Sequence, residues 1–476
     1  MDDRQRIQQN TLQEALGAYE RSDCARFHMP GHKGRGMAGF WRDSLVLWDV
    51  TELSGTDNLH APQGAIEVAQ RQMAKAYGVK SSFFVVNGST NAVQAMILAL
   101  EDSDKLLLSR DCHRSAISGA ALRGIQTDYI APRYDGETGL LGMVTPQDLD
   151  RRLEETGATA VLLTSPNVYG CCADVEALAK VAHRYGALLM VDGAHGAHYP
   201  FSPDLPAGLG GKADLFALSQ HKTMDALTQA ASLHLGECRI SEEKVRRALA
   251  MTETTSPSYL LMSSLDWSVF MAKRRDWTGQ VSRGVELEKK VESIAGLKTL
   301  HGAILPLGIF ERDRTRLVID VQGRGLSGYE AQALLEQAGI YIEMADSRRL
   351  VLITTPNDKP VWYERLLSAL EGLPSRPTTK REKRTEQEAP FSRERAMGIR
   401  EASFAASEEV RLEESEGRVA GEPIGVYPPG IAWIMSGERI EGRVIRRLLE
   451  EEQRGGALFG VRGGNVFAVR ESGMIE

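Results

Sequence analysis

Ala187-Leu-Leu-Met-Val-Asp192-Gly-Ala-His195-Gly-Ala-His198 and, a little further on, Asp214-Leu-Phe-Ala-Leu218-Ser219-Gln-His221-Lys222-Thr223 decide how this chain is read. Each opens on a short, continuous apolar run and breaks into glycine or polar residues. That is the pattern of a strand buried on both faces of a sheet. The first run ends on an acid, Asp192, and the second leads to a lysine, Lys222. Taken singly, a strand-terminal aspartate reads as a cap or surface charge, and Ser-Gln-His-Lys reads as loop. At the ends of consecutive strands the two become a pair facing one space.

Outward from there, the same alternation continues. Gly64 to Tyr77 has the spacing of an amphipathic helix, and Phe83-Phe-Val-Val86 is a strand. Asn87-Gly88-Ser89-Thr90-Asn91 leads into a helix from Ala92 to Leu100. Leu106-Leu-Leu-Ser109 is a strand, and Asp111-Cys-His113-Arg-Ser115 opens the next helix. Further strands are expected at 126–130 and 158–164, with helices at 146–155 and from Asp174 to Tyr185. Strands separated by helices of this length predict an α/β fold with a mainly parallel sheet, helices on both faces. Ligands of such sheets sit beyond the carboxyl ends of the strands. Ser89, Thr90, His113, Ser165, Asp192, His195 and Lys222 all follow such ends, so one crevice gathers them.

That gathering suggests a joint chemistry. Pyridoxal 5'-phosphate needs a lysine amine for its aldehyde and a carboxylate beside its pyridine nitrogen, so that the ring accepts electrons. Lys222 and Asp192 are the candidates. Gly88-Ser89-Thr90 at a helix start offers N–H groups, two hydroxyls and the positive dipole end to a phosphate. Serine and threonine cap helices everywhere, so this turn counts only in company. His113 at a helix start is ordinarily a cap; in this crevice its flat ring is expected to stack on a pyridine. His195 either orients Asp192 or lies near the substrate, and His221 is a phosphate contact. The histidines show no zinc-type spacing, so no metal is expected.

Composition narrows the field. The chain has 476 residues, enough for two or three domains. Hydrophobic residues make up 42% and charged residues 25%, which excludes wholesale disorder. A net charge of −7 does not indicate a nucleic-acid or anionic-membrane surface. No window approaches a membrane-spanning length, and the first residues lack a signal-peptide apolar region, so a cytoplasmic location is expected. Cys24, Cys112, Cys171, Cys172 and Cys238 are odd in number and form no C-x-x-C pair, as reduced thiols would.

Two turn-rich strings precede the first strand. Phe27-His-Met-Pro-Gly-His-Lys-Gly-Arg35 reads on physics alone as a surface turn. Asp49-Val-Thr-Glu52-Leu-Ser-Gly-Thr-Asp57-Asn-Leu-His60 carries acids that are either solvated loop charges or a face for a cation.

Several of these strings together, in this order, resemble the ornithine/lysine/arginine decarboxylases of fold type I. They are Phe27-His-Met-Pro-Gly-His-Lys33, Asp49-Val-Thr-Glu-Leu-Ser-Gly55, Asn87-Gly-Ser-Thr-Asn91, Asp111-Cys-His-Arg-Ser115, the Asp192 and Lys222 segments, and Thr255-Ser-Pro-Ser-Tyr259. Gly417-Arg-Val-Ala-Gly-Glu422 and Val426-Tyr-Pro-Pro-Gly430 resemble that family's C-terminal domain, so the likeness covers nearly the whole chain, in the short form of Gram-positive bacteria. The resemblance implies a pyridoxal-phosphate-dependent decarboxylase that turns arginine, lysine or ornithine into an amine for polyamine metabolism. By motif, Lys222 would bear the cofactor, Asp192 would hold the pyridine nitrogen and His113 would stack on the ring. Gly88, Ser89, Thr90, Ser165, Ser219 and His221 complete the expected cofactor site. Departures from the family's pattern are Met224-Asp225, where members commonly carry Leu-Pro, Cys171-Cys172, and Ala432-Trp433.

The fold so implied has a large domain with a mainly parallel seven-stranded sheet, a small α/β domain and a C-terminal α+β domain. The expected boundaries are an N-terminal segment over 1–60 that contributes to the site, the large cofactor domain over 61–265 and the small domain over 266–373. An exposed charged linker follows over 374–390, and then a C-terminal domain over 391–476 with two charged helices and a terminal hairpin. Glu52 and Asp57 are the candidate acids for a cationic substrate. Arg348 and Arg349, ahead of a small-domain strand, keep an aminotransferase reading open, because such enzymes grip the substrate carboxylate with an arginine. A decarboxylase-like protein without catalysis, acting as a partner, is the remaining alternative. A homodimer or higher homo-oligomer with shared sites is expected, Thr255-Ser256 being a candidate lender.

Overall fold

A computed structural model describes residues 11–300, 307–377 and 388–470. The large domain is built on seven strands: β1 (Ser81–Val85), β2 (Lys105–Ser109), β3 (Gln126–Ile130), β4 (Ala160–Thr164), β5 (Leu188–Asp192), β6 (Leu215–Leu218) and β7 (Ala231–Leu235). They lie in the order β1-β7-β6-β5-β4-β2-β3. Strands β6, β5, β4, β2 and β3 pair in parallel, and β7 runs antiparallel between β1 and β6. Side chains alternate between two cores: Leu106 and Leu108 face one, Leu107 the other. Burial on both faces explains why the strands read as unbroken apolar runs.

Helices cover the sheet where the sequence places start and stop signals. In α1 (Ala65–Tyr77), Ile66, Gln70, Met73, Ala74 and Tyr77 form the buried stripe, and Gly78 closes the helix at φ +65°. α2 (Gly88–Leu98) follows β1 directly. α3 (Arg114–Arg123) is capped by His113, and α4 (Pro146–Thr156) by Thr145 with proline in its first turn.

The small domain holds an antiparallel sheet of β8 (Lys298–Thr299), β9 (Arg316–Asp320), β10 (Met344–Ala345) and β11 (Arg349–Ile353), in the order β8-β9-β11-β10. The strand Ile340–Ile342 pairs in parallel with Ala25–Phe27 rather than joining this sheet. Phe27 is thereby buried in the small-domain core beside Trp362 and Leu366.

In the C-terminal domain Ser407–Arg411 pairs with Asn465–Val469, while Ile424–Tyr427 sits between Ile431–Ile434 and Ala457–Phe459. In the terminal stretch, expected as a hairpin, Arg462 and Asn465 exchange main-chain bonds around Gly463-Gly464, but Ala457–Phe459 and Asn465–Val469 pair in different sheets. Gly460, Gly463 and Gly464, all at positive φ, carry the chain from one sheet to the other. The expected linker falls largely on residues 378–387, outside the described residues. Among the described residues no helix is long and apolar enough to cross a membrane, and no cluster of His, Cys, Asp and Glu is arranged to hold a metal. All five cysteines are free thiols.

Candidate active site

Adjacent strand ends are laced together by main-chain bonds. Ser165 N–H donates to the Asp192 carbonyl at 3.1 Å, Gly193 N–H to Ala217 at 2.9 Å and Ser219 N–H to Ala194 at 3.3 Å. Asp192 sits opposite Ala217 on β6 and Thr164 on β4, and its carboxylate accepts from Ala194 N–H at 3.2 Å. Lys222 lies on the one-turn helix Gln220–Thr223 that β6 opens into. Its Nζ is 3.0 Å from His195 Nε2. The crevice read from the sequence therefore brings Asp192, His195 and Lys222 together at the middle of the sheet.

A residue the sequence reading did not single out completes this group. Arg316, at the start of β9, is 1% exposed and places Nη2 2.9 Å from His195 Nδ1. Burial pushes the Lys222 amine below the usual lysine range, and Arg316 pushes the same way, while Asp192 and Glu343 oppose. Burial also drives His195 well below the ordinary imidazole range, with Lys222 and Arg316 adding to it. Glu343 is the second such residue: it accepts from Met29 N–H at 2.9 Å, and its charge acts on Lys222 and His221 alike. Signals for both were present. An arginine heading the apolar run Arg316-Leu-Val-Ile, and an acid closing Ile340-Tyr-Ile-Glu343, are charges on otherwise buried strands.

The phosphate end expected for the cofactor has matching features. Gly88 adopts φ +77°, and no side chain of Asn87 caps α2, so the N–H groups of the turn carrying Ser89 and Thr90 are open to an anion. Ser219 Oγ is buried with no hydrogen-bond partner among the described residues, which suits an incoming acceptor. Ser165 is buried, and its hydroxyl already accepts from Ala173 N–H at 3.1 Å. His221 donates its Nδ1 proton to the Ala230 carbonyl at 3.0 Å. Burial lowers its pKa to about 4, so it offers a phosphate a proton on Nε2 only when doubly protonated. These residues fit pyridoxal phosphate.

His113 accepts from Ser115 N–H at 3.2 Å through Nδ1, which makes it the N-cap of α3. Capping fixes the ring without removing it from the crevice, since Asp192 and Lys222 both act on its charge. Its backbone is bridged to Ile431 of the C-terminal domain. Arg110, three residues earlier, donates to Glu438 at 2.8 Å and to the Trp433 carbonyl at 3.0 Å. The Ala432-Trp433 departure therefore lies where the C-terminal domain meets the wall of the crevice.

The remaining candidates are placed otherwise. Asp57 accepts backbone N–H bonds from Asn58, Gln63, Gly64, Ile66 and Glu67. Burial pushes its pKa up, but these bonds outweigh it and hold the carboxyl at about 2. Its oxygens thus serve the start of α1, and Glu52 is exposed. Arg348 pairs with Asp320; Arg349 is buried, donating to the Thr138 carbonyl at 2.6 Å and to Asp346 at 3.3 Å. Both arginines that kept the aminotransferase reading open are engaged within the scaffold.

The Phe27–Arg35 string is not a surface turn. Gly31 N–H donates to the His221 carbonyl at 2.8 Å, and Lys33, 2% exposed, donates to the carbonyls of His28 at 2.6 Å and Ile353 at 3.0 Å. A Cβ on Gly31 would come within 2.3 Å of the Thr223 carbonyl carbon. Only glycine lets this segment lie against the Lys222 helix.

The family model described as the Orn/Lys/Arg decarboxylase major domain matches residues 10–307, and that of the C-terminal domain matches residues 384–459. The chain is 31% identical over 464 residues to the arginine decarboxylase of Bacillus subtilis, covering 94% of each. It is 33% identical to the uncharacterized protein YaaO of the same organism, covering 92% of this chain and 93% of YaaO. Among solved structures, the constitutive lysine decarboxylase of E. coli superposes with a TM-score of 0.74 at 19% identity, over 96% of this chain and 81% of that one. At that identity the superposition speaks to the fold, which is that of fold type I enzymes.

Proposed function

The chain belongs to the Orn/Lys/Arg decarboxylase family, and from that premise we propose that it decarboxylates arginine within polyamine metabolism, with pyridoxal 5'-phosphate held at Lys222. Arginine is put first because full-length relatives at 29–31% identity bear the name arginine decarboxylase. One observation carries the site: a partly buried lysine, its amine 3.0 Å from His195, leaves the strand beside the one that ends on Asp192.

Bound there, pyridoxal phosphate supplies a sink for the electron pair left on Cα when CO2 departs. Lys222 would supply the amine for its aldehyde, Asp192 would hold a proton at the pyridine nitrogen, and His113 would lie against the ring. The open turn of α2 and the free Ser219 hydroxyl would hold the phosphate. Glu343, whose charge reaches Lys222 and His221, is our choice of acid for the cationic end of the substrate. The buried surroundings keep water out, which favours a carboxylate that loses its charge as it becomes CO2.

The purified protein is expected to show a visible cofactor band that disappears in Lys222→Ala. Incubation with arginine, lysine and ornithine in turn is expected to release CO2 fastest from arginine; a keto acid in place of CO2 would overturn the reading. We further propose a homodimer, since Val46 and Leu47 are 83% and 77% exposed in the single chain. Sedimentation of the wild type against Val46→Glu/Leu47→Glu tests that.

A further inference from the structure

The contacts of His195 fix a proton. A guanidinium only donates, so His195 Nδ1, 2.9 Å from Arg316 Nη2, must be the acceptor. A neutral imidazole then carries its proton on Nε2. That proton points at Lys222 Nζ, 3.0 Å away. An ammonium has no lone pair to receive it, and a charged lysine would need an unprotonated Nε2, leaving the ring without any proton. The two contacts coexist only with an uncharged amine at Lys222.

We propose that Arg316, acting through His195, is a positioning residue that locks the Lys222 amine in its uncharged, nucleophilic form. The inference rests on reading Lys222 as the cofactor lysine. The lock has work to do, because Asp192 on β5 and Glu343 on the small domain both favour the charged amine. His113 and His221 also act on His195, and burial lowers both below the ordinary imidazole range. Remove the guanidinium, and His195 is free to turn its lone pair toward Lys222, where the two carboxylates then hold a proton.

Arg316 is built into this position. Its stem lies over Gly170, where a Cβ would come 2.8 Å from Arg316 Cγ, and Gly170 adopts φ +79°. Among the described residues Arg316 Nε and Nη1 meet no acceptor. A buried cation kept at the cost of unsatisfied donors points to a task beyond stability. Arg316 also joins the two domains, since it rides on β9 while His195 follows β5.

The test reads the amine itself. Among amines cyanate carbamylates only the unprotonated form, and its uptake at Lys222, located by peptide mass spectrometry in the cofactor-free full chain, is followed from pH 6 to 10. Arg316→Met is expected to label about tenfold or more slowly than wild type at pH 7, the ratio closing toward one near pH 10, where an ordinary lysine loses its proton. Arg316→Lys, which still donates, is expected to follow wild type. The second pair repeats the contrast: His195→Gln can accept from Arg316 and donate to Lys222, so it follows wild type, whereas His195→Phe follows Arg316→Met. If Arg316→Met does not fold, this second pair decides. Equal rates at pH 7, or a ratio that does not change with pH, would overturn the lock. Retention of the visible cofactor band in Lys222→Ala would instead overturn the cofactor reading, leaving the labelling result to stand by itself.

Discussion

Asp225 and Arg275 meet behind the Lys222 helix, where the carboxylate accepts from Arg275 Nε at 2.8 Å and Nη2 at 2.7 Å. Asn357 donates to the other carboxylate oxygen. This acid is part of the Met224-Asp225 departure, and the structure shows how it is accommodated: the charge is paired, and it ties the lysine loop to Arg275 and to Asn357 of the small domain. Arg275→Met leaves Asp225, 3% exposed, without its cation. The expected loss is about 2–3 kcal/mol, a buried pair discounted for the partial exposure of Arg275. Thermal melts of Arg275→Met, Asp225→Asn and the double variant check this, with the double variant recovering most of the loss.

Gly31→Ala forces a methyl into the backbone of Thr223. Such overpacking costs about 1–3 kcal/mol, and the yielding element is the short helix that carries Lys222. Cofactor retention on gel filtration is therefore expected to fall more steeply than the melting temperature.

Asp57 gives a pH signature. Its carboxyl sits at about 2 in the folded chain, below the usual value near 3.8. A depressed carboxyl contributes stability that is present above the ordinary pKa and is lost as pH falls toward the folded one. Asp57→Asn keeps the left-handed backbone, φ +69°, but removes the charge from the start of α1. The variant is expected to be less stable by about 1 kcal/mol at pH 7, and the gap to close between pH 4 and pH 2. Denaturant midpoints across that range measure it.

Glu343→Gln addresses substrate recognition. The amide preserves the bond from Met29 N–H but loses the charge. A hydrogen bond to a charged group contributes about 1.5–3 kcal/mol, so KM for the basic amino acid is expected to rise about ten- to a hundredfold, with kcat changing less. A rise in kcat without a change in KM would remove Glu343 from the substrate's path.

The sheet and the meeting of Asp192, His195 and Lys222 were legible because parallel α/β sheets bring strand ends to one edge, whatever the side chains. The same rule says nothing about residues from a second domain. Arg316 and Glu343 reach the site from the small domain, through a packing that no local periodicity encodes. Gly31 was misread for a related reason. A glycine required for close approach looks, in sequence, like a glycine required for a turn, and only Thr223 opposite distinguishes them. Asp57 was visible as an acid in a loop, but the backbone N–H groups it serves became identifiable only once α1 was placed against it.

His113 is bridged to Ile431, and the neighbouring Arg110 is paired with Glu438, both buried. A ribosome delivers the N-terminal elements first, and domains fold as they emerge. The large sheet is thus made while its wall still lacks a support that comes later in synthesis. Nascent chains arrested ahead of Ile431 are expected to take up vitamin B6 poorly, and those released whole to take it up at once. The order of synthesis thus separates the making of the sheet from the completion of its cleft.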